Sequence, residues 1–591
     1  MAIKTSLCLA IAAFMSIDCV TQTQSADLSP PVTWEDLAAI ETAGGEPGKG
    51  FAGAYLSSHF AQGQNDWDTA SSLLDQIIAR DPENAELIRQ AMIISAGAGL
   101  HEQADRWAKA LIRHDSRDTM AYLIIGAHAI GQKDYAAAIK ALESMPGGDL
   151  PDFIRPLMMA WAEAGQGEYE PSRLSGTTIH AYHGGLIAHY MKQPNDKIFS
   201  FAEMILSPSG LTAEEVERAA DLMAISGRKQ DSLNIYKALQ SQKGGSDALQ
   251  KKIESVDKGL DLSELIPALR ITSANQGAAI ALYDLARMLH SEESDASARI
   301  FAQMSLDMNP DAVEPHLLLA LSYARTDQLD EAIRQYAAIP EGHKSYLSAQ
   351  HRAAELLHET GKEEEAIALL NTLYKTHGDP DSLIRIGDLY REDEDYKEAL
   401  DIYESTAKII GEPLGEEYWH LLYARGMTLE RLGEWERAEA DLKAALEFQP
   451  DHPYILNYLG YGWADQGIRL DEAIKMLNKA SSLMPDDGYI ADSLGWVKYR
   501  LGQYQDSVPH LERAVELRPY DAVINDHLGD AYWRVGRKLE ARFQWERAKN
   551  YSEDPLLNDT INGKIAKGLA DPKPDTGIKS AQGSRNVSSE N

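Results

Sequence analysis

The side chains that could do chemistry come first, because their spacing decides what chemistry is open to the chain. Ala43 to Gly50 ends in Gly48-Lys49-Gly50. It approaches a phosphate-cradling loop, but a cradle needs an earlier glycine, a closing Ser or Thr and a preceding strand. None of these is present. His101-Glu102 and His358-Glu359 begin a zinc-protease signature, but neither has the second histidine four residues on that would complete a ligand pair. No Gly-x-Ser-x-Gly elbow occurs. His180 and His183 can share a helical face, with His189 beyond, yet no thiolate or acidic cluster lies near them in sequence. Glu392-Asp393-Glu394-Asp395 lacks the glycine and the spacing of a calcium loop and reads as a solvated turn. The expectation is a chain with no catalytic residues, cofactor or metal.

Composition narrows the partners. The 591 residues carry 91 Asp and Glu against 57 Lys and Arg, a net charge of −34. So acidic a chain is a poor match for a phosphate backbone, so no nucleic-acid partner is expected. Nothing points to a small-molecule substrate. Lys4 followed by the apolar run Leu7–Ile17 and a small residue at Ala26 reads as an export signal over residues 1–26. Cleavage after Ala26 would leave the mature chain without cysteine, since Cys8 and Cys19 are the only two. Lipidation at Cys19 is the alternative, although Asp18 precedes it. The expected location is exported and periplasmic, with outer-membrane association if Cys19 is lipidated.

The elements that carry the remaining polar and aromatic residues show themselves as repeats. Gly426, Gly460, Gly495 and Gly529 are 34, 35 and 34 residues apart, and Gly433, Gly467, Gly502 and Gly536 keep the same steps. Ala445, Ala480, Ala514 and Ala548 step by 35, 34 and 34, and Pro450, Pro485 and Pro519 close three of the units. The extra residue of the second unit falls near Ile468–Leu470. In that unit Leu456, Leu459 and Trp463 recur at helical spacing. Gly460 is small enough for a second helix to approach. Gly467 ends the first helix, and Ala473, Leu477 and Ala480 line the second. Upstream the glycines fade, but the small position persists at Ala298, Ala332, Ala366, Ala399 and Ala438, and again at Ala70, Ala104 and Ala138. Helix pairs of this kind bury their apolar faces only by stacking on neighbours.

The pattern resembles the tetratricopeptide repeat. The resemblance implies an all-α solenoid, a right-handed superhelix of helix–turn–helix units whose concave face holds proteins or extended peptides. The expected organisation is a leader at 27–50, three repeats at 51–147, degenerate helical repeats with a hinge near Gly244 at 148–278, and eight repeats at 279–552. A capping helix at 553–569 and a disordered tail at 570–591 follow. Within 148–278, Thr212 and Glu215 form a capping box, and Gly227 and Ser232 match one further repeat. The geometry of this repeat class turns certain first-helix positions into the concave face. Carried over, it selects Tyr423 and Met427, then Tyr454, Asn457, Tyr458 and Tyr461. It next selects Tyr489, Asp492, Trp496, Tyr499 and Arg500, and finally Asp526, His527, Asp530, Trp533 and Arg534. Trp463, Tyr532 and Trp545 fall on packing positions instead.

The segments Asn457–Tyr461, Asp486–Trp496 and Val523–Trp533 carry a narrower likeness. They are similar to exported proteobacterial tetratricopeptide proteins, among them outer-membrane lipoprotein adaptors of a carboxyl-terminal processing protease. That likeness implies a non-enzymatic envelope adaptor that brings a periplasmic protease together with cell-wall hydrolases. The alternative expectation is a scaffold for envelope polysaccharide export or outer-membrane assembly.

Overall fold

A computed structural model describes residues 51–570, apart from 64–66, 169, 175, 243–245 and 264. The export signal, both cysteines, the leader, Gly244 and the tail from 571 lie outside the described residues. Among the described residues there are 29 α-helices from Phe51–Gly63 to Pro555–Lys567, and no strand. None of these helices is long and apolar enough to cross a membrane. The fold is all-α, a tandem succession of helix pairs. The chain forms two compact units, divided between Leu356 and Leu357.

Each helix pair closes through the small residues seen in the sequence. Ala70, Ala104, Ala138, Ala298, Ala332, Ala366, Ala399, Ala438, Ala473 and Ala541 are all buried. Opposite Ala138, Ala399, Ala438, Ala473 and Ala541 sits a first-helix glycine, at Gly126, Gly387, Gly426, Gly460 and Gly529. A Cβ added at Gly460 would lie 3.0 Å from Leu477 Cγ, and at Gly529 2.5 Å from the Trp545 ring. Hydrogen at this position is what lets the two backbones meet.

The residue five before the small position is left-handed ahead of Ala104, Ala138, Ala298, Ala332, Ala366, Ala399, Ala438, Ser507 and Ala541. Gly433, Gly502 and Gly536 take φ of 81°, 77° and 92°. Lys133, Glu293, Asp327 and Glu394 hold the same register with φ between 59° and 65°. The turn is therefore kept where its glycine is lost. The extra residue of the Pro453 repeat is accommodated in this turn, where Arg469 adopts φ 47° just after Gly467 at 70°.

In the N-terminal unit the chain departs from simple succession. The helix Ala274–Ser291 packs on Asp149–Gln166, more than a hundred residues earlier. A Cβ at Gly277 would lie 2.2 Å from the Trp161 ring. Asp295–Met308 returns against the early repeats, where His128 Nδ1 meets Asp307 at 2.9 Å. The helices between, Thr178–Tyr190 to Asp247–Lys258, form a branch instead of a further stretch of the stack. Ala213–Ile225 in this branch starts with the Thr212/Glu215 capping box.

The C-terminal unit ends on half a repeat. Gly563 lies 34 residues after Gly529, on the helix Pro555–Lys567, yet nothing stands within 4 Å of its missing Cβ. No second helix follows it among the described residues. Asp559, Asn562 and Ala566, all exposed, hold the places of Leu456, Leu459 and Trp463. Asp559 and Asn562 put polar groups on that exposed face.

Candidate protein-binding face

The candidate residues sit on the first helices of four repeats: Trp419–Arg431, Pro453–Gln466, Gly488–Arg500 and Ala522–Arg534. Asp487 and Asp521 cap the last two, Asp487 accepting from the Tyr489 and Ile490 N–H groups and Asp521 from that of Ile524. Trp463, Trp545 and Tyr532 are buried, on the packing side.

At the N-terminal end of the set, the Tyr423 and Tyr458 rings meet edge to face at 6.2 Å. The Tyr458 hydroxyl donates to Glu430 at 3.0 Å. Burial pushes both phenols up, so both stay neutral. Tyr454 is 41% exposed. Asn457, Tyr461 and Met427 are half-buried, and the Asn457 Oδ1 atom is covered yet has no hydrogen-bond partner among the described residues.

In the middle, Trp496 stacks on His527 at 4.0 Å and on Tyr499 at 4.8 Å, with planes within 12° and 7°. The Trp496 indole N–H is also covered and has no partner among the described residues. His527 bonds Asp492 through Nδ1 at 2.8 Å. Burial opposes a charge on this imidazole, but Asp492, with Asp526 and Asp530 behind it, outweighs burial and raises its pKa. Tyr499, pushed up to about 12 by burial, accepts from Arg534 Nε at 3.2 Å. Arg500 bonds the Asp465 carbonyl at 2.5 Å, and Arg518 lies 4.9 Å over the Tyr489 ring.

At the C-terminal end the final helix covers the candidate residues. Lys564 reaches Asp526 at 2.6 Å and Asp530 at 2.9 Å. Asp530 also accepts from the Trp545 indole at 2.9 Å. Burial and the neighbouring Asp526 raise the Asp530 pKa against the pull of Lys564. Trp533 donates to the Leu569 carbonyl at 3.2 Å, and Arg534 to that of Ala570 at 2.6 Å. The structure thus brings the candidates onto one succession of helices but divides them. Asp492, Asp526, His527, Asp530, Trp533 and Arg534 are engaged within the chain. Tyr454, Asn457 and Trp496 keep surface or polar atoms unused.

Lys564 was not among the candidates. Its signal is in the sequence: it follows Gly563 as Tyr461, Trp496 and Asp530 follow Gly460, Gly495 and Gly529. The histidine pair needs a correction. The sequence offered no carboxylate near His183, but the returning helix brings Asp284 to 3.3 Å of its Nε2. Nδ1 accepts from Trp161 at 3.1 Å, so both ring nitrogens are used. Arg218 completes this clasp at 2.5 Å. Burial works against the Asp284 charge; Arg218, His183 and Arg287 outweigh it and hold the carboxyl down to about 2. His180 instead meets the Phe153 carbonyl at 2.8 Å. No group of three or more potential ligands that could hold a metal occurs among the described residues.

Tetratricopeptide-repeat family models match residues 382–415, 419–452 and 493–555. A TPR repeat-containing protein of Pseudomonas aeruginosa is 34% identical over 178 residues, 30% of this chain and 29% of that protein. The match therefore spans less than a third of the relative. Among solved structures, the APC/C hetero-tetramer Cut9-Hcn1 gives a TM-score of 0.39 at 12% identity, over 88% of this chain and 97% of that one. A tetratricopeptide repeat protein of Parabacteroides merdae gives 0.33 at 18% identity, over 43% and 99%. A thermophilic TPR protein of Thermus thermophilus gives 0.27 at 21%, over 32% and 98%. The chain carries tetratricopeptide repeats of the kind that generally mediate protein–protein contacts.

Proposed function

We propose that this protein is a non-enzymatic, exported adaptor of the bacterial envelope, whose first-helix face in the C-terminal unit binds an extended peptide segment of a partner. One observation carries the reading: on successive first helices of that face Tyr454 is exposed, and Asn457 and Trp496 are half-buried side chains whose Oδ1 and Nε1 have no partner among the described residues. Buried polar groups in folded chains are almost always paired. Turned outward, Asn457 would offer an acceptor and Trp496 a donor to the N–H and carbonyl of a bound main chain. The flanking Tyr454 ring would add contact area. Asp526 and Asp530 lie outside this footprint, because Lys564 already holds them.

The finer identity rests on the sequence. The export signal and the likeness of Asn457–Tyr461, Asp486–Trp496 and Val523–Trp533 to lipoprotein adaptors support a periplasmic processing protease and cell-wall hydrolases as the bound proteins. Holding both on one chain would raise their effective concentration. Reconstitution tests this. Purified processing protease should cleave a cell-wall hydrolase at least about tenfold faster with the protein present, and the gain should vanish at large excess of adaptor, when protease and hydrolase occupy separate copies. An unchanged rate overturns the protease link. The second reading, a scaffold for polysaccharide export or outer-membrane assembly, is favoured if synthase or assembly subunits bind instead.

A further inference from the structure

The last turn between paired helices in the C-terminal unit differs in chemistry from those before it. Leu539 and Phe543, one turn apart on the helix Lys538–Tyr551, are 79% and 62% exposed. The opposite side of this helix is buried through Ala541, Gln544, Trp545 and Ala548, so both side chains stand away from the array. The register shows that this is a departure. Leu539 lies two residues before the small second-helix position. Its equivalents in the other repeats of the unit are Glu364, Lys397, Glu436, Asp471 and Gln505, all polar and all exposed. Phe543 lies two residues after that position, where Ala368, Asp401, Ala440, Lys475 and Pro509 stand elsewhere. Positions that the array otherwise gives to charged, polar or small residues here carry two large apolar side chains.

The charge around them is reversed as well. Arg534 to Phe543 holds four cations, Arg534, Arg537, Lys538 and Arg542, against one carboxylate, Glu540. The same stretch of the repeat at 392–401 holds one lysine and six carboxylates, and that at 359–368 one lysine and four. Arg537, Lys538 and Arg542 are exposed. Arg537 pairs with Glu512 and Glu540, but Arg534 and Arg542 form no ion pair among the described residues. They bond main-chain carbonyls instead, Arg534 that of Ala570 and Arg542 that of Ile565. Lys538 lies 3.8 Å over the Trp533 ring. On a chain of net charge −34 this turn is a local exception. Exposed charges act over about 8 Å at physiological salt, so a surface touching this turn meets its cations and is screened from carboxylates farther off.

We propose that this basic and apolar turn, Arg534 to Phe543, docks the C-terminal unit on an anionic phospholipid bilayer. Leu539 and Phe543 enter the interface, and Arg537, Lys538 and Arg542 face the lipid phosphates. Lys and Arg beside protruding Leu and Phe are the composition of an interfacial anchor, and each cation near an anionic leaflet adds to the attraction. An acidic peptide is the weaker match. A peptide is held in a groove or at a sheet edge, and Leu539 and Phe543 line neither. A cleft of about 260 Å³ beside the turn is lined by Gly502–Asp506, Arg534 and Val535 instead. The anchor does not rest on which proteins the C-terminal unit binds, nor on lipidation of Cys19.

Vesicle co-sedimentation of the mature chain, beginning at Asp27 and so without cysteine or acyl chain, tests it. Vesicles of phosphatidylethanolamine with phosphatidylglycerol should bind the chain at least about tenfold more tightly than vesicles of phosphatidylcholine. Leu539→Glu combined with Phe543→Glu should weaken that binding about tenfold or more. The melting temperature should hold, since other repeats carry acidic residues at both registers. Lys538→Gln combined with Arg542→Gln should also weaken binding and flatten its dependence on salt. No binding to the anionic vesicles, equal binding to both kinds, or binding undiminished by the two glutamates overturns the proposal. A chain that ignores vesicles but binds polyglutamate, or dimerises, through the same residues also overturns it.

Discussion

At Gly495 a Cβ would lie 2.6 Å from Leu511 Cγ and 3.2 Å from the Leu511 backbone nitrogen, whereas at Gly563 it would meet nothing. The two positions share a register, so alanine separates packing from helix propensity. Alanine is worth about 1 kcal/mol over glycine inside a helix. Overpacking a tight contact costs about 1–3 kcal/mol. Gly495→Ala should lower the thermal midpoint of the C-terminal unit, and Gly563→Ala should raise it. Calorimetry of the two variants checks the signs. Charge acts residue by residue as well. The folded chain raises the His527 pKa above its ordinary 6.5. The stability from the His527–Asp492 pair is therefore fully present below pH 6.5 and is lost as pH rises through the raised value. Melting curves from pH 6 to pH 9 should show a falling midpoint, and His527→Gln should flatten the slope. Asp284 runs the other way. Its carboxyl is held down to about 2 against 3.8. It should contribute about 2 kcal/mol above pH 3.8, lost as pH falls towards 2. Asp284→Asn should remove that acid dependence from the N-terminal unit.

Among the elements, the turn between paired helices explains both what the sequence revealed and what it hid. Where glycine fills the left-handed position, four rows of residues kept step and the repeats were plain. At Lys133, Glu293, Asp327 and Glu394 the backbone keeps its conformation without glycine, so only the buried alanines marked those repeats. A left-handed residue with a Cβ is strained by roughly 1–2 kcal/mol, partly offset by glycine's greater freedom when unfolded. Glu394→Gly should therefore stabilise its repeat by about 0.5–1 kcal/mol in a denaturant melt. The branch of helices before Ala274 was not legible, because it is fixed by Trp161 and Asp284, contacts between residues far apart in sequence. The final helix was legible as a helix, but its grip on the candidate face was not. Lys564 is mostly buried between two carboxylates. Lys564→Ala leaves both unpaired, a loss on the order of 3 kcal/mol. Adding Asp526→Asn and Asp530→Asn should restore most of it, as the melt of the triple variant would show.

For the whole molecule, periodicity alone established an all-α repeat array, because stacking is the only way such amphipathic pairs bury their faces. The candidate face was only partly legible. First-helix positions were identified, but spacing does not say which polar groups satisfy one another across repeats. Hence Asp492 and His527 turn out to be partners, while Asn457 and Trp496 keep unused polar atoms. The peptide-binding face proposed for the C-terminal unit is what most needs testing. Affinity capture from cross-linked envelope fractions tests it most directly, with the mature wild type run beside a Tyr454→Ala, Asn457→Ala double variant of unchanged melting temperature. The account predicts that the wild type retains a processing protease with cell-wall hydrolases and that the double variant loses at least one of them about tenfold. Equal capture by both chains, or no envelope protein retained by either, would contradict it.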